Sequence, residues 1–483
     1  MTGKTSLSRV AGHLALPRAV ALPVLLAICA AAIAFAAALS TGGHASIDAT
    51  QQIYEGQTGR SVSWNPPFMS ALFAAFGASP QAGAGISTAI FVAVVCILLW
   101  GAPALVAWQS RAEKVSIPAF LFALLLVFNP TVIVYAGIVW KDVLFGAMAG
   151  FSIALGLLAI GSKSFAVRVL VSLMAAALIG LLPLVRQQGW VMAPILLGLP
   201  VLAMFWMDRA SLRLRGTGVL AVVLACVIAN VVANTWAERL VKENGAGSMS
   251  QGFNSIYMFD LAGIEVYSRE GPLVALGAPQ VVLQELVESY DPQRIDFFDQ
   301  SPTLSSFLGK KHAVLGDLWR GAVIEHPGAY ATHRKEVLGA LFGFVPAGSC
   351  LPVHLGIEGF EHQTTALRLA PGTDVIDART FQITKPMFGL PIFRHWAYAA
   401  AFAGLALFSF AFRRSRTRVA LLVASGSVLL FYGSFVPTAI ACDFRYLFPA
   451  VPCLMTLSIA FIFRWSEASE SAMVIDDVHS RTR

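Results

Sequence analysis

The chain has 483 residues, of which 57% are hydrophobic and 13% charged, whereas an ordinary soluble domain carries about 25% charged residues. So large an apolar surplus leaves too little polar surface to cover it in water, which excludes soluble and disordered classes and turns much of the chain toward lipid. A formal charge of +7 raises nucleic acid as a partner, but the placement of the basic residues assigns the surplus to membrane orientation instead.

The first apolar run, 19–43, follows Lys4, Arg9 and Arg18. It exceeds the hydrophobic region of a signal peptide and further spans follow it, so it reads as an uncleaved first helix. Runs at 86–107, 117–138, 143–160, 169–185, 190–207, 216–237, 395–412, 419–441 and 446–463 bring the candidate helices to ten, each near the length that crosses a hydrocarbon core. The stretch 67–76 is apolar but too short to span. With the N-terminus cytoplasmic, seventeen basic residues fall inside, while the short opposite connections hold only Arg60, Lys141, Arg186 and Arg445. That asymmetry fixes the expected orientation under the positive-inside rule.

The fold class expected is an all-α polytopic membrane protein. Residues 1–237 form a membrane region with seven spans, 238–394 an extracytoplasmic domain, 395–464 a second membrane region with three spans, and 465–483 a cytoplasmic tail. The large domain's basic residues do not contradict this, because long translocated domains largely escape the charge rule. Within it, 271–290 and 326–344 read as partly helical and 346–371 as turn-rich. Its histidines, such as the pairs His326/His333 and His354/His362, lack a compact ligand spacing, so no metal site is assigned. Cys350 and Cys442 both fall outside and are candidates to pair, although no sequence rule sets that connectivity.

Four connections on the external side gather the polar residues. The first, 44–65, carries Asp48, Gln51, Gln52, Tyr54, Glu55, Arg60, Trp64 and Asn65; the others hold Trp140-Lys141-Asp142, Arg186-Gln187-Gln188-Gly189-Trp190 and Asp443-Phe444-Arg445-Tyr446. Such a gathering suits an active cleft, or a channel mouth. If 46–56 is helical, Asp48, Gln51, Gln52 and Glu55 share one face. There Asp48 is placed to accept a proton from a sugar hydroxyl and the amides to bind hydroxyls; the alternative is that Asp48 caps the helix and the amides face water. Trp64, with Pro66 and Pro67 behind it, is either an interfacial anchor or a substrate contact.

Asp142 sits where ionisable groups are costly without a partner. It reads as a second active-site carboxylate that orients the acceptor or holds a divalent cation with Asp48, or as the ion-pair partner of Arg186 or Arg445. Lys141 contacts substrate or lipid headgroups. Arg186 and Arg445 suit a phosphate, whose oxygens accept bidentate hydrogen bonds from guanidinium; each is equally suited to phospholipid or to a carboxylate such as Asp443. Gln187 and Tyr446 complete the substrate-binding set.

Taken together, Ile47-Asp48-Ala49-Thr50-Gln51-Gln52, Trp64-Asn65-Pro66-Pro67, Lys141-Asp142 and Asp443-Phe444-Arg445-Tyr446-Leu447-Phe448-Pro449 resemble the GT-C superfamily of membrane glycosyltransferases, including those that use polyprenyl-phosphate sugars. The resemblance covers about 300 residues of the membrane portion and little of 238–394. It implies a GT-C-like bundle in a bacterial cytoplasmic membrane, with Asp48 as catalytic base, Asp142 as a second carboxylate, and Arg186 and Arg445 on the lipid phosphate. The implied reaction transfers a sugar from a polyprenyl-phosphate-linked donor to a cell-envelope glycan or lipid, with inversion and with membrane phospholipids around it. The chain lacks a paired acidic motif at Asp48, so no cofactor is assigned and a divalent cation stays open. A polysaccharide polymerase, a flippase and a small-solute transporter are the competing classes; a transporter requires polar groups that continue through the spans.

Overall fold

The structure, a computed structural model, describes all residues except 1–14, 41–42, 62–64, 80, 82, 111–112, 207–210, 244–248, 269–270, 312, 346–349, 412–415 and 464–483. In chain order the helices are α1 (Arg18–Leu39), α2 (Ile47–Thr58), α3 (Phe68–Ala75), α4 (Gly85–Gln109), α5 (Ile117–Val127), α6 (Pro130–Ala136), α7 (Lys141–Gly161), α8 (Phe165–Val185), α9 (Gly189–Leu196), α10 (Gly198–Phe205) and α11 (Leu212–Leu240). The polar interval adds α12 (Met249–Tyr267), α13 (Pro272–Ala275), α14 (Gln280–Ser289), α15 (Pro302–Gly309), α16 (Leu315–Glu325), α17 (Pro327–Leu341), α18 (Glu361–Leu367) and α19 (Val375–Thr384). The chain then returns to the bundle through α20 (His395–Ser409), α21 (Arg416–Ser434) and α22 (450–463).

Among the described residues, eight segments are long and apolar enough to cross a membrane, Gly189–Phe205 is a shorter apolar segment, and the predicted run 395–412 forms the 15-residue helix His395–Ser409. The protein is an all-α, multi-pass membrane protein. Local chemistry breaks several of the runs. The run 117–138 divides at Asn129, where Pro130 cannot continue the ladder of α5 and Asn129 Oδ1 instead accepts from the Thr131 amide at 3.0 Å to start α6. The run 419–441 leaves the helix after Ser434, and the last crossing opens with a 3₁₀ turn, Phe444–Leu447.

The central helix is α7, buried along almost its whole length. Its glycines let neighbours approach backbone to backbone, the usual way to pack helices in lipid. A Cβ on Gly146 would lie 2.8 Å from Pro449 Cα, and one on Gly180 of α8 would lie 2.2 Å from the Cys226 carbonyl oxygen of α11. In α11 only Val222 and Ala237 are buried, so it forms an outer wall. At one end of the bundle, Ala15–Pro17 (β1) pairs antiparallel with Lys114–Ser116 (β3), which brings Arg18 beside Trp108, whose carbonyl it binds. At the other end, Arg60–Ser61 (β2) pairs parallel with Lys242–Glu243 (β4).

The polar interval packs around Phe259, Leu261, Leu286, Leu304 and Leu315. It is joined to the bundle covalently by the Cys350–Cys442 disulfide, which leaves Cys442 one residue ahead of the Asp443–Tyr446 connection.

Candidate active site

Helix α2 forms where the spacing of its polar residues anticipates it, and it ends at Gly59, whose positive φ of 68° suits glycine. Its predicted polar face is graded by depth. The Asp48 side chain keeps 53% of its exposure, Gln51 is partly buried, and Gln52 and Glu55 are fully enclosed. Gly56 admits α3 at close range, since a Cβ there would meet the Ser70 carbonyl oxygen at 2.4 Å. That approach lets Ser70 donate to Glu55 Oε2 at 2.7 Å. Among the described residues the enclosed Gln52 amide nitrogen has no hydrogen-bond partner.

The four polar connections converge on this helix. Arg445 Nη1 pairs with Asp48 Oδ2 at 2.8 Å, its Nε lies 3.5 Å from Asp443 Oδ2, and its side chain is 15% exposed. The same guanidinium lies 5.0 Å from the ring centre of Trp140 and 5.3 Å from that of Tyr446, distances at which a ring face attracts a cation. Trp140 in turn donates its indole N–H to Ser46 Oγ at 2.8 Å, tying the start of α2 to the start of α7. The next residue, Lys141, donates to Asn65 Oδ1 and lies in the electrostatic reach of both Asp48 and Glu55.

Asp142 points elsewhere. It forms a buried ion pair with Arg186, the two side chains being 2% and 5% exposed. Arg186 also donates to Gln188 Oε1 at 2.8 Å and to the Tyr446 carbonyl at 3.0 Å, and it sits 5.1 Å from the Phe435 ring centre and 5.3 Å from that of Tyr446. Asp48 and Asp142 therefore each face an arginine rather than converging on a common cation position. Among the described residues no cluster of three or more His, Cys, Asp or Glu has a metal-holding arrangement. Gln187 is partly buried beside Arg186, and Trp64 lies outside the described residues.

Around Asp48 the electrostatics favour the ionised acid. Burial pushes its carboxyl upward, but the positive charges of Arg445 and Lys141 and the hydrogen bond from Arg445 outweigh that and hold it below the usual carboxylate range. A half-exposed carboxylate that stays charged, flanked by two cations, can take up a proton from one group while the cations steady a neighbouring negative charge. An apolar groove of about 720 Å³ runs between α8 and α11, lined by Leu170, Met174, Leu181, Ile228 and Trp236. Its Phe68, in ring contact with Trp236 at 6.2 Å, opens the helix that follows Asn65 and Pro67.

Comparison with known proteins gives structural matches only. No family model and no curated protein matches the chain. The archaeal oligosaccharyltransferase AglB from Archaeoglobus fulgidus, solved with an inhibitory peptide and a dolichol-phosphate, aligns at a TM-score of 0.38 and 13% identity over 95% of this chain. The Archaeoglobus fulgidus oligosaccharyltransferase with zinc and sulfate aligns at 0.34 and 14% over 94%, and its apo form at 0.35 and 14% over 95%. This chain spans about half the length of those proteins, 50–51%. At these scores the matches carry no functional weight for it.

Sequence reasoning gathered Trp140 and Asn65 on the external face without giving either a role, and it left out Ser70. Trp140 stood beside Lys141, but nothing in the sequence placed its ring against Arg445 of a distant connection. Ser70 lies in an apolar octet with nothing to announce a polar duty.

Proposed function

We propose that the protein transfers a sugar from a polyprenyl-phosphate-linked donor to a hydroxyl of a cell-envelope glycan or lipid, at the external face of a bacterial cytoplasmic membrane. The observation that carries this reading is the half-exposed, ionised Asp48 beside Arg445 and Lys141. The acceptor hydroxyl loses its proton to Asp48 as its oxygen attacks the anomeric carbon. The bond from that carbon to the phosphate oxygen breaks, and the charge left on the phosphate is met by Arg445 and Lys141. Attack opposite the leaving phosphate inverts the anomeric centre.

The buried Asp142–Arg186 pair holds the Tyr446 carbonyl in this scheme and so shapes the wall beside Arg445. The unpartnered Gln52 amide offers a donor to a sugar hydroxyl. The groove between α8 and α11 takes the isoprenoid chain, which matches it in being apolar and long. Gathering of the polar groups at one end of the bundle favours surface chemistry over passage through it.

The test is transfer of labelled sugar from a polyprenyl-phosphate donor by membranes holding equal folded amounts of wild-type and Asp48→Asn protein. Asn keeps the volume and removes the proton acceptor, and the rate is expected to fall on the order of 10²–10⁴-fold. Normal turnover in the variant would end the assignment.

A further inference from the structure

Residues 439–442 run immediately ahead of Asp443 and Arg445, and each of the four is gripped by the polar interval. Arg334 Nη1 of α17 donates to the Ala439 carbonyl at 2.6 Å. The Ile295 amide donates to the Ile440 carbonyl at 2.9 Å, Ala441 bridges antiparallel to Arg294, and the Cys442 amide donates to the Gln293 carbonyl at 2.8 Å. The Cys350–Cys442 disulfide adds a covalent hold, packed with Ala340 of α17.

Arg334 is itself fixed by a buried polar core. Its Nη2 lies 2.6 Å from Asp260 Oδ1 of α12. Asp260 also meets His333 Nε2 at 3.0 Å and accepts from Trp319 Nε1 at 2.7 Å, and His333 Nδ1 lies 2.7 Å from the Tyr290 hydroxyl. Asp260 and His333 are fully enclosed. A buried ion pair and hydrogen bonds of this kind favour one geometry, since removing one member leaves its partner's charge or donor stranded in the interior. Three residues beyond the gripped segment, Arg445 reaches Asp48.

We infer that Asp260 and Arg334 are positioning residues: through the segment 439–442 they set the distance between Arg445 and Asp48. The inference rests on the glycosyl-transfer reading for what that distance is for, but not for whether the segment is held. A merely structural Asp260–Arg334 pair would change the amount of folded protein and nothing in the molecules that fold. A positioning pair changes the site of folded molecules. Lysine at 334 keeps a charge for Asp260 yet cannot hold both Asp260 and the Ala439 carbonyl in a planar fork.

The experiment uses the full chain in lipid nanodiscs, as wild type, Arg334→Lys and Arg334→Ala, comparing folded material only. Amide exchange over 439–446 is expected to rise about tenfold or more in Arg334→Lys, because exchange there reports local opening. Transfer per folded molecule is expected to fall roughly 10- to 100-fold, the scale of a small misplacement, in kcat more than in KM. The acid limb of the rate profile is expected to move to higher pH. The groups facing Asp48 that set this limb are Arg445, with Asp443 and Tyr446 beside it, and Lys141 of α7, while Glu55 on the same helix is enclosed against Ser70, and only Arg445 and its neighbours are displaced. Unchanged exchange over 439–446 in folded Arg334→Lys overturns the inference, as does raised exchange with an unmoved acid limb. If wild-type protein transfers no sugar, the functional reading falls and the exchange result alone decides the positioning role.

Discussion

Asp48 and Asp142 are both acids at the edge of an apolar bundle, yet their surroundings divide their duties. Asp142 is sealed with Arg186, and removing either partner would strand a buried charge; Asp48 shares Arg445 with Asp443 and remains half in solvent. The division implies unequal variants. Arg445→Lys should keep the charge but lose the planar contact, weakening donor binding, and Arg445→Ala should weaken it further; direct binding of a polyprenyl-phosphate sugar to folded protein measures both. Since Arg445 helps keep the Asp48 carboxyl below its usual range, the acid limb of wild-type transfer should lie under the ordinary carboxylate value of about 4. Arg445→Ala should move it upward, and Arg445→Lys less. Unaltered binding and an unshifted limb in Arg445→Ala would leave the phosphate to Lys141.

Helices in this bundle are spaced by what their glycines omit. At Gly180 a side chain would run into the backbone of α11, whereas at Gly404 of α20 a Cβ would meet nothing within 4 Å. Gly180→Val is therefore expected to cost about 1–3 kcal/mol through overpacking, read as a lower thermal midpoint in detergent, and Gly404→Val should leave the midpoint near wild type. Equal midpoints would mean that α8 and α11 separate freely. Elements of this kind were readable from hydropathy: eight of the ten apolar runs reappear as helices long and apolar enough to cross a membrane, and the 46–56 spacing reappears as α2. Breaks inside the runs needed the particular chemistry of Asn129-Pro130. Pairings were not readable, because Asp142 finds Arg186 across 44 residues and Asp48 finds Arg445 from near the other end of the chain. Composition and period say which residues are polar and on which face, but the partner of each is chosen by the packing of α7 against its neighbours.

At the scale of the whole molecule, basic residues such as Lys114, Lys163, Arg168 and Arg215 lie at the helix ends opposite the Asp48 cluster, the distribution that orients a chain across a bilayer. An impermeant maleimide added to intact cells should therefore label Asp299→Cys and Glu358→Cys, both exposed, and reach Lys163→Cys only after permeabilisation. Labelling of all three, or of 163 alone, would reverse or dissolve the orientation. The pairing of Asp48 with Arg445 has a consequence in time as well as in space. A ribosome delivers Asp48 early and Arg445 only after α20 and α21, so every shorter nascent chain holds the acid without its ion-pair partner. The Asp48–Arg445 pair is completed late, when the last connection between crossings is made and Cys442 meets Cys350, so an unfinished copy lacks the complete cluster.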